Sequence, residues 1–408
     1  MGRPRGSRTS RHSERESRGE AGIIPQHIAL TRSRLTNPVA RFAVVGIVLG
    51  GCPHTIRAAQ DAPRAAPPPL LPAVSAWETR LPALPAAPAS LDDARIYVPL
   101  EDGTLVALDR ATGAQVWASE GMGRSTPLVH AGTVYVPSSG GIVALDGATG
   151  RQRWAVTDLS AAAVPSAAIA GDDLLVLTDR GLSAVRAGDG RVRWARPLPA
   201  EAGSGLVIAG LDAAFVLHAA GVTALELSDG AVRWQRALPA VAGAPTVVGD
   251  RLLVGTTDKD LVALEADTGA LDWRWRLGGV LVGATGRDGI VYVAALDTLL
   301  RALRLDGGNQ IWKRELQTRP VAPPAIRDET VVLAGNDPVL AAFDARSGAP
   351  TGRHVEEGDL LGSPLIAPGG TTGDAGVTIV LLFRDGRVVG LKAEEKPEKT
   401  PERVPVQP

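Results

Sequence analysis

Cys52 is the residue whose chemistry the sequence points to first. It is the single cysteine among 408 residues, so the chain forms neither an intramolecular disulfide nor a cysteine-based zinc cluster. Phe42–Gly51, directly before it, is a ten-residue uncharged and mostly apolar run. Ten residues are too few to span a bilayer, which needs about 20, but they suit the apolar core of a secretory signal. The alternative is a buried free thiol after a short apolar helix.

Other residue types that do chemistry are scattered through the sequence. Three of the six histidines, His130, His218 and His354, lie between residues 74 and 392, without metal-ligand spacing. His218 is predicted to lie in a turn or on the surface. Asp258 and Asp260 flank Lys259 in a predicted solvated hairpin turn, which does not suit an acid/base pair. We find no phosphate-binding loop, nucleophile elbow or EF-hand loop, so we predict no catalytic, cofactor-binding or metal-binding residue and no enzymatic activity.

The charge distribution bears on partners. The net charge is -1, yet the segment from Met1 to Arg41 holds nine Arg and three Glu. A basic arm could contact nucleic acid or acidic lipid. The apolar run that follows this arm favours export instead, and we predict no nucleic-acid partner.

Tryptophan recurs at a nearly constant interval. Seven of the eight tryptophans follow one another at a spacing of about 40 residues. They are Trp77, Trp117, Trp154, Trp194, Trp234, Trp273 and Trp312. A constant period of about 40 residues indicates a solenoid or a propeller.

Short β-rich runs within each period favour the propeller. Ile96–Val98 and Leu105–Leu108, for example, are separated by the turn-forming residues Glu101-Asp102-Gly103. No helical pattern of the length that helical repeats need lies between such runs, which excludes those repeats. Four short strands in about 40 residues are typical of a β-propeller blade.

The two ends of the repeat region predict how the ring closes. The last period, through Val388–Lys392, stops before its fourth strand, whereas Trp77 has no strands before it. Pairing this N-terminal strand with the incomplete blade removes two exposed sheet edges. The sequence therefore predicts an all-β, eight-bladed propeller of four-stranded blades over residues 74–392, closed by an N-terminal strand.

The repeated motif resembles that of PQQ-like (quinoprotein-type) propellers, Ala-x-Asp-x-x-Thr-Gly-x-x-x-Trp. Residues 107–117 and 144–154 match it, and 263–273 comes close; the copy at 342–352 has Gly352 where Trp belongs. The resemblance implies that the seven periodic tryptophans are structural docking residues, each packed on the neighbouring blade. Trp275 is not required by the repeat and is a candidate partner contact.

Quinoprotein dehydrogenases are similar in blade motif, but that resemblance also implies an adjacent Cys–Cys disulfide and a calcium site of Glu, Asn and Asp. One cysteine cannot form that disulfide, and the chain has only three asparagines, Asn37, Asn309 and Asn336. We therefore predict no cofactor.

Leu49-Gly50-Gly51-Cys52 resembles the bacterial lipobox, which implies cleavage before Cys52 and lipidation of its sulfur. The predicted domains are a basic arm and lipoprotein signal peptide (1–51), a lipid anchor with an Ala/Pro-rich tether (52–73), the propeller (74–392) and a disordered charged tail (393–408). A basic arm that extends to Arg41 is too long for the charged region of a signal, so we hypothesise a translation start at a non-Met codon near Leu30 to Val39.

A lipid-anchored propeller of this kind resembles the BamB family of outer-membrane assembly lipoproteins. The resemblance implies a non-enzymatic scaffold on the periplasmic face of the outer membrane, a monomer that binds the barrel assembly machinery. One alternative is a periplasmic propeller with another binding or sensing role. The other is a PQQ-dependent oxidoreductase.

Overall fold

A computed structural model describes residues 70–138, 141–159, 166–199, 205–210, 212–336, 339–367 and 376–394. All of them belong to one compact unit, Ala65–Pro408. Its regular elements are β-strands alone within these ranges. None of the described segments forms a helix with the length and apolar character to cross a membrane. The basic arm, Cys52 and most of the predicted tether and tail lie outside the described residues.

The strands form eight antiparallel four-stranded sheets, which are the blades of the predicted propeller. Blades 1 to 4 comprise β2 (Ser90–Leu91), β3 (Arg95–Pro99), β4 (Leu105–Asp109), β5 (Gln115–Ser119); β6 (Leu128–His130), β7 (Thr133–Ser138), β8 (Gly141–Asp146), β9 (Gln152–Val156); β10 (Ser166–Ala170), β11 (Asp173–Thr178), β12 (Gly181–Arg186), β13 (Val192–Arg196); and β14 (Leu206–Ala209), β15 (Ala213–His218), β16 (Gly221–Glu226), β17 (Val232–Ala237).

Blades 5 to 8 comprise β18 (Thr246–Val248), β19 (Arg251–Gly255), β20 (Asp260–Glu265), β21 (Leu271–Arg276); β22 (Leu281–Arg287), β23 (Ile290–Ala295), β24 (Leu299–Arg304), β25 (Gln310–Glu315); β26 (Ala325–Arg327), β27 (Thr330–Ala334), β28 (Val339–Asp344), β29 (Pro350–Val355); and β30 (Leu365–Ile366), β31 (Ile379–Leu382), β32 (Arg387–Ala393), β1 (Ala73–Arg80). The predicted all-β, eight-bladed propeller is confirmed.

Antiparallel order gives every blade two distinct ends. The turns after the first and third strands lie at one end, which we call the motif face because the Asp-x-x-Thr-Gly turns lie there. The turns after the second strand and the connections between blades lie at the other end, the crossover face. Backbone hydrogen bonds join the two loop types of the crossover face, such as Thr257 N–H to Ala240 O at 2.8 Å and Leu316 N–H to Thr298 O at 2.9 Å.

The core lies between blades, because the middle strands are covered on both faces. The described core residues form eight clusters, and each joins two neighbouring blades. A fully buried alanine recurs in the third strand; Ala107, for example, pairs with Trp117. A β-bulge follows each such alanine, as between Ala107 and Leu108. The small side chain lets the indole of the fourth strand lie close to the sheet.

The last blade takes its outer strand from the N-terminal end of the chain. β1 pairs antiparallel with β32, with Trp77 opposite Gly390. Leu70 and Leu71, 5% and 0% exposed, lie in the core cluster between blades 7 and 8. The sequence analysis placed both in the tether, because the Ala/Pro-rich context offered little to bury. The structure instead makes them part of the propeller, and it also includes Ala393, assigned to the tail, in β32.

Candidate functional site

The seven periodic tryptophans all serve as contacts between blades. Each indole N–H donates a hydrogen bond to a backbone carbonyl in the motif-face turn of the next blade, at 2.6–3.1 Å. The acceptors, in chain order, are the carbonyls of Arg110, Gly147, Ala187, Leu227, Ala266, Leu305 and Ala345. An indole bound in this way is not available to stack on a ligand.

A left-handed glycine in each turn makes room for the indole. The seven turn glycines have φ between +66° and +75°, a conformation that glycine adopts readily. A Cβ atom on Gly190 would lie 2.7 Å from the indole of Trp154. Three tyrosines, which the sequence analysis left out, reinforce the same contacts: the hydroxyl of Tyr135, for example, donates to Ala187 O, which also accepts from Trp154. Tyr292 donates likewise to Ala345 O, whereas Tyr97 donates its O–H to Asp92 Oδ2 at 2.6 Å and lies 3.2 Å from Gly147 O.

The eighth interface departs from this pattern for a reason that the topology supplies. A tryptophan at Gly352 would face blade 8, whose outer strand is β1 and not the continuation of β32, so blade 8 has no turn for it to dock on. Leu71 fills the place instead, since a Cβ on Gly352 would clash with the backbone of Leu71. His354 completes this junction through Nδ1, 3.0 Å from Ala73 O, and Nε2, 2.9 Å from Glu356.

Trp275, the candidate partner contact, is half-buried and packs against the core cluster between blades 5 and 6. It stands two residues after a docking tryptophan. The equivalent residues of two other blades, Thr79 and Arg314, each donate a hydrogen bond to a turn carbonyl of the next blade. The acceptors are Gly113 O and Gly348 O, both at 2.7 Å. Trp275 therefore occupies a position that bridges blades, and a role in partner binding stays a prediction.

The other predicted features fall as follows. Cys52 lies outside the described residues. His218 ends β15, where its Nε2 lies 3.3 Å from the Thr223 hydroxyl. Within the described ranges, no three His, Cys, Asp or Glu side chains stand close enough together to hold a metal ion.

The prediction that the Asp258–Asp260 turn is solvated is wrong for Asp260. Its carboxylate is 2% exposed and forms ion pairs with Arg274 and with Arg276, the latter at 3.4 Å. The hydrogen bond from Arg274, followed by that from Arg276, holds the pKa of Asp260 below its usual range despite burial, which raises it. The pattern Asp-Lys-Asp looked like an exposed turn because both arginines come from the next strand, 14 and 16 residues later.

Asp260 lines a cleft of about 210 Å³ between blades 4 and 5. The cleft is also lined by Arg236 and Arg274, whereas Leu238 and Val262 supply apolar surface. Arg236 is held in place because it donates to Gly269 O at 2.8 Å. The cleft therefore presents cationic groups in fixed positions beside a small apolar surface.

Cationic side chains continue around this cleft over the crossover face of blades 3 to 5. We call the group the basic sector: Arg180, Arg196, Arg236, Lys259, Arg274 and Arg276. Arg196 and Arg236 stand at the ends of their strands, and their side chains reach back to the turn glycines Gly230 and Gly269 of the next blade. The described carboxylates near the sector are Asp158, Asp179, Asp258 and Asp260, so it has an excess of two positive charges. Such a surface attracts an acidic partner and orients its approach.

The comparisons with known proteins agree with the repeat. A family model described as outer membrane protein assembly factor BamB matches residues 74–214, 200–284, 218–351 and 275–395. The crystal structure of BamB from Moraxella catarrhalis resembles 80% of this chain and 99% of its own, at 18% identity and a TM-score of 0.60. The computationally designed protein Ika8 is similar over 77% of this chain and 97% of its own, at 14% identity and a TM-score of 0.62. A comparison with curated proteins found no match.

A quinohemoprotein alcohol dehydrogenase, ADHIIG from Pseudomonas putida HK5, is also similar, over 82% of this chain and 78% of its own, at 12% identity and a TM-score of 0.55. At these identities the structures show a common fold alone.

Proposed function

The chain belongs to the outer membrane protein assembly factor BamB family, and from this premise we propose that it is a non-enzymatic scaffold which binds protein partners in outer-membrane β-barrel assembly. The family match covers all eight blades, from residue 74 to residue 395. A difference between the two faces of the ring supports a binding role for the crossover face.

The basic sector is the observation that carries the proposal. The motif-face turns accept the indole hydrogen bonds, whereas Lys259, exposed in the crossover-face turn of blade 5, forms no hydrogen bond or ion pair with the described residues. A charged side chain without an intramolecular partner attracts an opposite charge of a second protein and orients its approach. We infer that the partner presents an acidic surface to blades 3 to 5.

The test is recovery of the partner from membranes. The full chain with an affinity tag is produced in its host, crosslinked in cells and purified, and bound proteins are identified by mass spectrometry. We expect components of the barrel assembly machinery. The matched control is the variant Lys259→Glu, which should lose them while its unfolding temperature stays unchanged. If the native chain recovers no barrel-assembly component, the proposed function is wrong even though the fold stands.

We further propose that the protein is a lipoprotein anchored through Cys52 at the periplasmic face of the outer membrane. The first and last described residues, Leu70 and Glu394, lie close together at the motif face. Glu394 N–H donates a hydrogen bond to Pro72 O there, at 3.0 Å. The segment from Cys52 to Leu70 could extend over about 60 Å, so a lipid on Cys52 would tether the motif face near the membrane and leave the crossover face accessible.

Mass spectrometry of the mature protein tests the anchor. The expected product begins at Cys52 and carries the mass of a diacylglycerol with an acyl chain. A mature chain that retains residues before Cys52, or a Cys52 without lipid, contradicts the anchor but leaves the scaffold proposal standing.

An activity assay tests the non-enzymatic part of the proposal. The purified chain is incubated with PQQ and Ca²⁺ and offered alcohols and aldose sugars with an artificial electron acceptor. We expect turnover no faster than that of the cofactor alone. A rate that saturates with PQQ and depends on the protein concentration would contradict the scaffold proposal.

A further inference from the structure

A second cleft, of about 240 Å³, lies between blades 6 and 7 at the position that the cleft of blades 4 and 5 occupies two blades earlier. We call it the apolar cleft. Its lining includes the aliphatic or aromatic side chains of Leu316, Leu333, Val339, Ala341 and Phe343. The two clefts therefore occupy equivalent positions in the ring, but their lining residues differ in chemistry.

One substitution between the two clefts changes their charge. Asp260 stands three residues before the buried Ala263 of its strand, and Val339 stands three residues before Ala342, so the two positions are equivalent. The carboxylate that neutralises Arg274 in the first cleft is therefore absent from the second.

Arg353 is the equivalent of Arg274 and also lines its cleft. It is exposed and forms no hydrogen bond or ion pair with any described residue. Glu315 lines the cleft as well, but it too has no ion pair among the described residues. Arg314, the other cation, is already bound, since it donates to Gly348 O at 2.7 Å and to Ser347 O at 2.6 Å.

A guanidinium without an ion pair beside an apolar cavity suits a ligand that has both a carboxylate and an aliphatic group. A carboxylate bound to arginine forms a strong, charge-assisted hydrogen bond, and a side chain that fills a pocket supplies most of the affinity in many protein interfaces. Val321 and Val355, 47% and 57% exposed, extend the apolar surface along the adjoining connection and strand end. This extended shape favours a peptide over a compact small molecule.

We propose that the apolar cleft binds an extended peptide segment of a protein partner, in which an aliphatic side chain stands next to an aspartate or glutamate. The aliphatic side chain enters the cavity and the carboxylate binds Arg353. This site lies on different blades from the basic sector and does not depend on the identity of the partner proposed there.

Methyl NMR of the full chain, labelled at isoleucine, leucine and valine, tests the proposal with the peptide Ac-Asp-Leu-Asp-NH₂ as the probe. We expect saturable shifts of the methyl signals of Leu316, Leu333 and Val339. The peptide Ac-Asn-Leu-Asn-NH₂ should bind about tenfold more weakly, because it offers no charge to Arg353. Octanoate serves as a further probe, to separate a peptide site from a site for a free fatty acid.

Variants make the test specific to Arg353. Val339→Asp places a carboxylate where the first cleft has Asp260, so it should neutralise Arg353 and weaken binding of the acidic peptide at least about tenfold. Arg353→Ala should do the same. The matched control, Val339→Ala, keeps the cleft apolar and should retain the preference for the acidic peptide. Methyl signals of blades 1 to 3 report that each variant is folded.

Three results would overturn the proposal. The first is the absence of saturable shifts with the acidic peptide. The second is equal binding of the two peptides, or binding that Val339→Asp leaves unchanged. The third is saturable binding of octanoate without binding of the acidic peptide. None of these results bears on the basic sector, so failure here is distinct from failure of the scaffold proposal.

Discussion

The two faces of the ring use their polar groups in opposite ways. At the motif face, seven indole N–H groups and the hydroxyls of Tyr135 and Tyr292 donate to turn carbonyls, so the turns hold neighbouring blades together. At the crossover face, Lys259 has no partner among the described residues, and the exposed Arg353 beside one of the two clefts between blades has none either. One end of each repeat therefore stabilises the ring, which leaves the other end free to vary for binding.

Loss of a docking indole is the change expected to cost the most stability. Trp312→Ala should lower the free energy of unfolding by about 3–5 kcal/mol, because it removes a buried side chain and leaves the carbonyl of Ala345 without its indole donor. Urea unfolding followed by circular dichroism measures the loss. Gln310→Ala, on the exposed part of the same strand, is the control. A loss below about 1 kcal/mol for Trp312→Ala would show that the motif-face contacts do not hold the blades together.

The eighth interface should depend on Leu71 much as the others depend on tryptophan. Leu71→Ala should lower the free energy of unfolding by about 2–5 kcal/mol, because the residue is fully buried between blades 7 and 8. Leu84→Ala, at a leucine that is 48% exposed, provides the matched control and should change stability by less than about 1 kcal/mol. Equal losses in the two variants would mean that the N-terminal residues are not part of the closure.

Two glycines separate steric from conformational effects. Gly190 and Gly171 have φ of +75° and +59°, but only a Cβ at Gly190 would meet an indole, while none of the described atoms lies within 4 Å at Gly171. Both alanine variants should lose about 1 kcal/mol to backbone strain, and Gly190→Ala should lose roughly 1–3 kcal/mol more from overpacking. Thermal unfolding gives the difference, and equal losses would contradict close indole packing.

The pH dependence of stability tests the Asp260 ion pairs at the crossover face. Because the pKa of Asp260 is lowered in the folded chain, its carboxylate stabilises the fold above the unfolded pKa of about 3.9 and loses this effect as the pH falls through the folded value. Asp260→Asn should therefore be roughly 1 kcal/mol less stable than the native chain at pH 6 and closer to it below pH 3.

Asp258→Asn is the control for this titration, since Asp258 is exposed and has no ion pair among the described residues. Unfolding at a series of pH values between 2.5 and 7 measures both variants. A difference between native and Asp260→Asn proteins that is constant over this range would contradict the ion pairs.

The basic sector should matter least for stability. Lys259→Glu changes only an exposed side chain, so the free energy of unfolding should change by no more than about 0.5 kcal/mol. The same variant should lose the partner in the recovery experiment. A variant that loses stability by several kcal/mol would show that the two faces are not divided as we describe.

The repeat made the fold predictable because each blade needs the same few residues. A tryptophan, a left-handed glycine and a buried alanine recur at one spacing, and together they specify the outer strand and its turn. Gly352 was the exception, and the sequence alone did not show which residue fills the eighth interface. Leu70 and Leu71 were missed because their burial depends on blades 7 and 8, whose own strands begin only at Ala325, far along the sequence.

The crossover face was less predictable for the same physical reason. Asp260 reads as part of an exposed turn, and only the fold brings Arg274 and Arg276 over it. The clefts arise from the packing of neighbouring blades, and no local pattern announces a cavity. Trp275 stood out by type, yet its position in the repeat, which bridges blades, became visible only beside the equivalent Thr79 and Arg314.

Site-specific photo-crosslinking in cells tests the division of the two faces most directly. The photoreactive residue p-benzoyl-phenylalanine replaces Lys259 on the crossover face in one variant and Asp306, an exposed motif-face residue, in the other. We predict that irradiation joins the first variant, but not the second, to a component of the barrel assembly machinery. Crosslinks to such a component from Asp306 alone, or from neither position in folded protein, would contradict the claim that this chain is a scaffold that binds its partner through the crossover face.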